Sequence, residues 1–216
     1  MEKRKELVII GDSAFAQIAY EYFTHDSEHT VVAFSVERGY INKSSLFGLP
    51  VVPLDEIRSK YPPSEFTAFV AITYIEGNKV RARIYNQLKE WKYSLATYVS
   101  SKAFVWRNVK IGDNCFIFED NTVQPWVSIG NDVIIWSGNH LGHHSEIQDH
   151  VFISSHVVIS GFCKIGKFAF LGVNSTISNN VSIGEGDIIG AGAVVIGDTE
   201  NNTTYVGNPA RPISRK

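Results

Sequence analysis

Along the first ninety-seven residues, short apolar runs alternate with segments of helical period. The run "LVII" (Leu7 to Ile10) reads as a buried strand ending at Gly11. The following "SAFAQIAYEYF" reads as a helix with Ser13 at its N-cap. "TVVAF" (Thr30 to Phe34) and "TAFVAI" (Thr67 to Ile72) are suited to interior strands of a parallel sheet, whose two faces are both covered. In "NKVRARIYNQLKEW", Val80, Ile84, Leu88 and Trp91 share one helical face, and Asn78 is placed to cap it. The pattern predicts a small Rossmann-like α/β domain over residues 1–97 with three or four parallel strands.

Beyond Tyr98 the helical period ends and a period of six replaces it. Every sixth residue from Val99 to Val195 is Val, Ile or Leu, seventeen positions without a break. "IGDN", "IGND", "IQDH", "IGKF" and "IGEG" recur every eighteen residues, at Ile111, Ile129, Ile147, Ile165 and Ile183. A six-residue unit is one short strand plus a turn, and three units close a triangular coil. Each inward aliphatic then stacks on its equivalent eighteen residues away, about 4.8 Å along the axis. Small residues or Val often stand four positions after the aliphatic (Cys115, Val133, Ser145, Ala169), which suits a crowded interior. This is the signature of a left-handed parallel β-helix, an exception to the usual right-handed crossover. The predicted organisation is the α/β domain at 1–97, the β-helix at 98–200 and a C-terminal tail at 201–216.

Composition narrows the classes. A formal net charge of −2 over 216 residues gives no electrostatic footprint for nucleic acid or an anionic membrane. The apolar run near the N-terminus is only four residues long, short of a signal or membrane-spanning segment. Two cysteines, Cys115 and Cys163, do not make a disulfide framework, and forty-eight residues is not a multiple of eighteen, so they fall on different faces. A cytoplasmic protein is expected.

Five of the seven histidines lie between His140 and His156. His144, His150 and His156 are six apart, so they fall on successive faces and cannot converge on one metal within a chain. No metal site is therefore expected within the chain, although one shared between subunits stays open through His140 and His144. His150 and His156 are expected to be solvated or interface polar residues. His143 and His144 follow "NHLG" where no inward aliphatic is due, and Gly161 lies one coil beyond His143. An imidazole takes a proton near neutral pH, and a glycine lets a ligand approach a backbone N–H. Either histidine could serve as the base of an acyl transfer.

With "IIGDSAFAQ" at the start, "GHHSEI" and "FLGVNSTI" in the β-helix and "YVGNPARPI" near the end, the chain resembles the hexapeptide-repeat sugar O- and N-acyltransferases. More narrowly it is similar to bacterial nucleotide-sugar N-acetyltransferases that acetylate the 4-amino group of a 4,6-dideoxy sugar. The resemblance implies acetyl-CoA as cosubstrate, a homotrimer, and a nucleotide sugar (dTDP-linked by preference, otherwise UDP- or GDP-linked) as acceptor for surface-glycan synthesis. It implies His143 as general base and the Gly161 N–H as donor to the acetyl carbonyl. It places the coenzyme near Gly161, Asn174, Ala191, Gly192, Asn208, Pro209, Ala210 and Arg211. It places the nucleotide sugar near Gly11, Ser13, Ala14, Phe15, Glu37, Arg38 and Asn139.

Two positions depart from the family pattern. The residue after the histidine is usually Asp or Glu and here is His144, so either Glu146 or a neighbouring subunit supplies the acid, or the histidine is less strongly activated than in the family. The dinucleotide fingerprint is reduced to Gly11, which argues against NAD, and "FSVERGYI" carries Glu37 and Arg38 where relatives carry an acidic pair. Alternatives follow in order: a sugar O-acetyltransferase of the sialic-acid type, a trimeric zinc lyase of the carbonic-anhydrase type, and a non-catalytic β-helix that binds coenzyme without turnover.

Overall fold

The structure is a computed structural model and describes residues 5–213. It divides into two compact units. One comprises the chain through Thr73 together with Val80–Tyr98, and the other Tyr74–Lys79 with the chain from Val99 onward.

The first unit is a six-stranded sheet with helices. Its elements run β1 (Lys5–Ile10), α1 (Ala14–His25), β2 (His29–Val36), β3 (Ser45–Leu46), β4 (Leu49–Pro53), α2 (Ile57–Lys60), β5 (Thr67–Val70), α3 (Lys79–Glu90) and β6 (Ser94–Leu95). The strand order is β3-β4-β2-β1-β5-β6. Five strands are parallel, one or two more than the sequence pattern predicts, and β3 pairs antiparallel with β4. The extra parallel strands escape the pattern because β4 carries a proline at each end of a two-valine core and β6 has only two residues. Leu7, Val8, Ile9 and Ile10 are all buried, as a central parallel strand requires. α1 turns Phe15, Ala16, Ala19 and Phe23 inward at helical spacing. Ser13 stands at the N-cap in extended conformation, but its side chain makes no capping bond. On α3 the buried face includes Ile84 and Leu88, with Val80 and Trp91 half-buried.

The second unit is the β-helix. Seventeen two-residue strands, β7 (Tyr98–Val99) to β23 (Val194–Val195), begin six residues apart. Each pairs in parallel with the strand eighteen residues on, Ile117 on Ile135, Ile135 on Ile153 and Ile153 on Leu171. Three sheets result: face one from β7 and every third strand after it, face two from β8 (Phe104–Val105), and face three from β9 (Lys110–Ile111). Face one is extended by β24 (Thr204–Val206) and the antiparallel β25 (Arg211–Ile213). The inward aliphatics from Ile117 to Val195 are buried, and burying each contributes about 1.5–3 kcal/mol. Cys115 and Cys163 are buried in this core as reduced thiols, on faces one and three respectively. Burial pushes the Cys163 thiol up from its usual range.

Each corner turns on one residue in the left-handed region. Asp120, Gly138, His156, Asn174 and Gly192 form the column between faces one and two, with φ between 58° and 77°. Trp126, His144, Phe162 and Asn180 form the column between faces two and three. Asn114, Asp132, His150, Phe168 and Gly186 form the third. Contrary to expectation, His150 is buried: its Nδ1 lies 2.8 Å from Asp132 Oδ2, and Phe168 stacks on its ring at 4.8 Å. The neighbouring coils supply both a polar partner and an apolar cover, which a one-coil view of the sequence does not reveal. His156 is exposed.

The segment Tyr74–Lys79 lies against the β-helix and belongs to it. Tyr74 packs on the rings of Phe152 (5.1 Å) and Phe170 (5.0 Å), and Asn78 Nδ2 donates to the carbonyl of Phe168 (3.2 Å). Asn78, expected as a helix cap, stands at φ 67° and uses its amide here.

Candidate active site

Where face two meets face three, the chain leaves β14 (His140–Leu141) and passes Gly142 into the corner at His143 and His144. Both histidines are exposed. The His143 N–H donates to Gln124 Oε1 (2.9 Å), and its carbonyl accepts from the Phe162 N–H (2.9 Å), so the backbone is fixed from the preceding and following coils. The His144 ring is stacked between Trp126 (4.7 Å, 22°) and Phe162 (4.7 Å, 15°), its equivalents one coil either way. The His143 ring stands edge-on to both His144 and Phe162.

The two imidazoles face one another through Nδ1, 3.1 Å apart. One Nδ1 must donate and the other accept. Glu146, expected as a possible acidic partner, instead accepts from Gln148 Nε2 (3.0 Å). Side chains alternate in direction along a strand, and the outward Glu146 pairs with its i+2 neighbour on the same face. The partner of His143 is thus the adjacent histidine.

Gly161 lies one coil beyond. A Cβ there would stand 2.7 Å from His143 Cε1 and 2.9 Å from Nε2, so glycine leaves room for the ring in this orientation. The Gly161 N–H donates to Asn179 Oδ1 (2.9 Å), on the coil beyond it and away from His143. The expected carbonyl donor is therefore already engaged. The arrangement offers an exposed base whose Nδ1 is tied and whose Nε2 makes no hydrogen bond among the described residues, beside a backbone donor held by one movable side chain.

The residues expected to hold coenzyme gather elsewhere on the β-helix. Asn174 and Gly192 share the column between faces one and two with His156, and Ala191 adjoins them; all three are exposed. The tail joins them: the Val194 N–H donates to the Gly207 carbonyl (3.0 Å), and the Ala210 N–H to the Val194 carbonyl (2.8 Å). Asn208, Pro209 and Arg211 are exposed around that turn, while Ala210 is buried. Within one chain this group flanks one edge of face two and His143 the other. Asn139 is corrected outright. It is buried, its N–H donates to Asn121 Oδ1 (3.1 Å), its Oδ1 accepts from the Val157 N–H (2.7 Å), and its Nδ2 donates to the Trp136 carbonyl. It occupies the small-residue slot four after an inward aliphatic, so its polar atoms are spent inside the prism.

In the α/β unit, Gly11 has φ 128°, and a Cβ would meet the Ala71 carbonyl oxygen at 2.7 Å. Its N–H donates to Ser35 (2.7 Å). Ser13 and Ala14 are exposed at the start of α1, whereas Phe15 is a core residue packed edge-on against Phe69. Glu37 is held by Arg83 through two bonds (3.0 and 2.8 Å), which lowers its carboxyl pKa. Arg38 binds Glu56 (2.8 Å) and Asp55 (3.0 Å), which raises its own. Lys43 is new: its Nζ reaches Asp12 Oδ2 and the Asp12 carbonyl, each at 3.2 Å, placing a cation beside the β1–α1 turn. No spacing in the sequence signals it. Trp126, Phe162 and Asn179 could have been found by adding or subtracting eighteen or thirty-six from the histidine positions.

Among the described residues no three His, Cys, Asp or Glu side chains are grouped to hold a metal ion. No described helix is long and apolar enough to cross a membrane.

The fold is a β-helix of six-residue units preceded by an α/β unit. The model for the bacterial transferase hexapeptide (six repeats) matches residues 108–143 and 127–161, the coils that carry His143 and Gly161. No curated protein matches the chain. Among solved structures, it is similar to a perosamine N-acetyltransferase from Caulobacter crescentus, a histidine-to-asparagine mutant in complex with CoA and GDP-perosamine, at 24% identity over 97% of both chains with TM-score 0.88. It is also similar to the acetyltransferase domain of PglB from Neisseria gonorrhoeae in complex with acetyl coenzyme A, at 22% identity over 97% of this chain and 100% of that one, TM-score 0.87. WeeI from Acinetobacter baumannii follows at 23% identity, 97% and 100% coverage and TM-score 0.78. The likeness spans both units.

Proposed function

We propose that the chain is an acetyl-CoA-dependent N-acetyltransferase acting on the 4-amino group of a nucleotide-linked 4-amino-4,6-dideoxy sugar. The observation that carries the reading is the His143 corner: an exposed imidazole with Nδ1 tied, Nε2 free, and Gly161 making room beside it. The similar structures named for acetyl transfer and for bound CoA, acetyl coenzyme A or GDP-perosamine support the chemistry. In the reaction the amine nitrogen attacks the thioester carbonyl and His143 Nε2 takes a proton from that nitrogen. The carbon–sulfur bond then breaks and CoA leaves as thiolate. The developing oxyanion needs a donor. Gly161 supplies it once Asn179 turns away from the Gly161 N–H.

The coenzyme group at Asn174, Ala191, Gly192 and residues 208–211 lies across face two from His143, an arrangement that joins them in one site if adjacent prisms associate as a trimer. The α/β unit receives the nucleotide around the exposed Ser13–Ala14 turn and Lys43, with Glu37 and Arg38 at the end of β2. The reading places the enzyme in the cytoplasm, upstream of surface-glycan assembly.

The test is thiol release from acetyl-CoA with dTDP-, UDP- and GDP-linked 4-amino-4,6-dideoxyhexoses, wild type beside His143→Asn. Turnover with one acceptor, reduced about a hundredfold or more by the substitution, is expected. Silence across the panel while hydroxyl sugars are acetylated overturns the amine acceptor.

A further inference from the structure

His143 has no carboxylate partner among the described residues, and this is where the corner departs from an ordinary acid–base pair. Its Nδ1 meets another imidazole nitrogen at 3.1 Å. Two arrangements satisfy that contact. If His143 donates, its Nε2 is bare and can act as base, and His144 must carry its own proton on Nε2. If His144 donates, the His143 proton sits on Nε2 and the base is blocked. The state of His144 therefore decides whether His143 can work. Trp126, Phe162 and Gly161 lie against the two rings, none of them charged. Trp126 and Phe162 present their faces to His144, and aromatic faces attract a cation.

We infer that His144 is a positioning residue acting through His143: neutral, its Nδ1 accepts the His143 Nδ1–H and leaves Nε2 free, and its ring between Trp126 and Phe162 shares the positive charge that arises when Nε2 is protonated. This rests on the acetyl-transfer reading. The balance is simple. One proton leaves the amine nitrogen as the nitrogen–carbon bond forms, and it binds His143 Nε2. The Nδ1 proton lies between two equivalent nitrogen atoms, so the charge is held by the pair. It is discharged when the Nε2 proton passes to the departing thiolate or to water.

The decisive variant is His144→Phe. Phe162 and Phe168 already occupy equivalent corners at φ 59° and 61°, so phenylalanine fits the left-handed backbone and preserves the stack. It removes only the nitrogen. His144→Glu restores an acceptor. For His144→Phe we expect kcat to fall about tenfold or more with the KM for acetyl-CoA unchanged, because the tautomer is no longer held. His144→Glu recovers kcat. A His144→Phe enzyme with wild-type kcat overturns the inference while the transferase reading stands.

Nitrogen-15 NMR of the imidazoles gives a readout independent of turnover. The neutral wild type should show His143 protonated at Nδ1, and His144→Phe should release it to a tautomer mixture. His143 protonated at Nε2 in the neutral wild type overturns the assignment whether or not any sugar is acetylated.

Discussion

A methyl group at position 161 would stand 2.7 Å from the His143 ring, and the ring can turn to avoid it. Gly161→Ala should therefore fold with little change in melting temperature but lose most of its activity, since the displaced Nε2 no longer faces the acceptor. Gly142→Ala is expected to differ. There the new Cβ meets the backbone of Ser160, which cannot turn away, and the loss should appear in thermal melting. Paired melting and kinetic curves distinguish the two. At this scale the sequence exposes part of the site. His143 and Gly161 are visible because each stands two residues after an inward aliphatic, where none is due, and they lie one coil apart. The role of His144 is not, because a ring–ring hydrogen bond depends on rotamers. Asn139 misleads for a related reason: a polar residue in the interior slot looks like a surface residue until the coil on either side is drawn.

The element that repeats is the coil, and its corners are as structured as its faces. In the third column Asp132 is fully buried, accepting from Asn114 Nδ2 (2.7 Å) and lying against His150 Nδ1 (2.8 Å). Asp132→Ala removes one acceptor from two buried partners, at about 1–3 kcal/mol for each group left unsatisfied. Asp132→Asn keeps one oxygen and tolerates the φ of 56°, so its loss should be smaller. Urea unfolding of the three proteins should rank them in that order. The β-helix was legible because each inward position meets the same geometry as the one six residues earlier, so the signal accumulates. The α/β sheet was less so: β3 and β6 have two residues each, too few to show a period.

For the whole molecule, stability against pH carries a contribution from His29. The ring is largely buried, edge-on to Phe23, and burial lowers its pKa from the ordinary histidine value, with Glu28 opposing and Lys5 assisting. The sign follows. The unfolded chain gains its proton near pH 6.5, the folded one only at lower pH. The contribution is complete above that value and is lost as pH falls from it through the folded pKa. His29→Gln should flatten this part of the curve, as measured by chemical denaturation between pH 8 and roughly pH 5.

The six residues Tyr74–Lys79 leave one unit, lie on the other and return. The boundary drawn from sequence at residue 97 is therefore a single cut where the chain crosses three times. A fragment started at Val99 would bare Phe152 and Phe170 where Tyr74 covers them, and it would remove the Asn78 amide from the carbonyl of Phe168. Anyone exchanging the N-terminal half for another has to carry this insert over with the recipient β-helix. No single cut in the gene divides the two units.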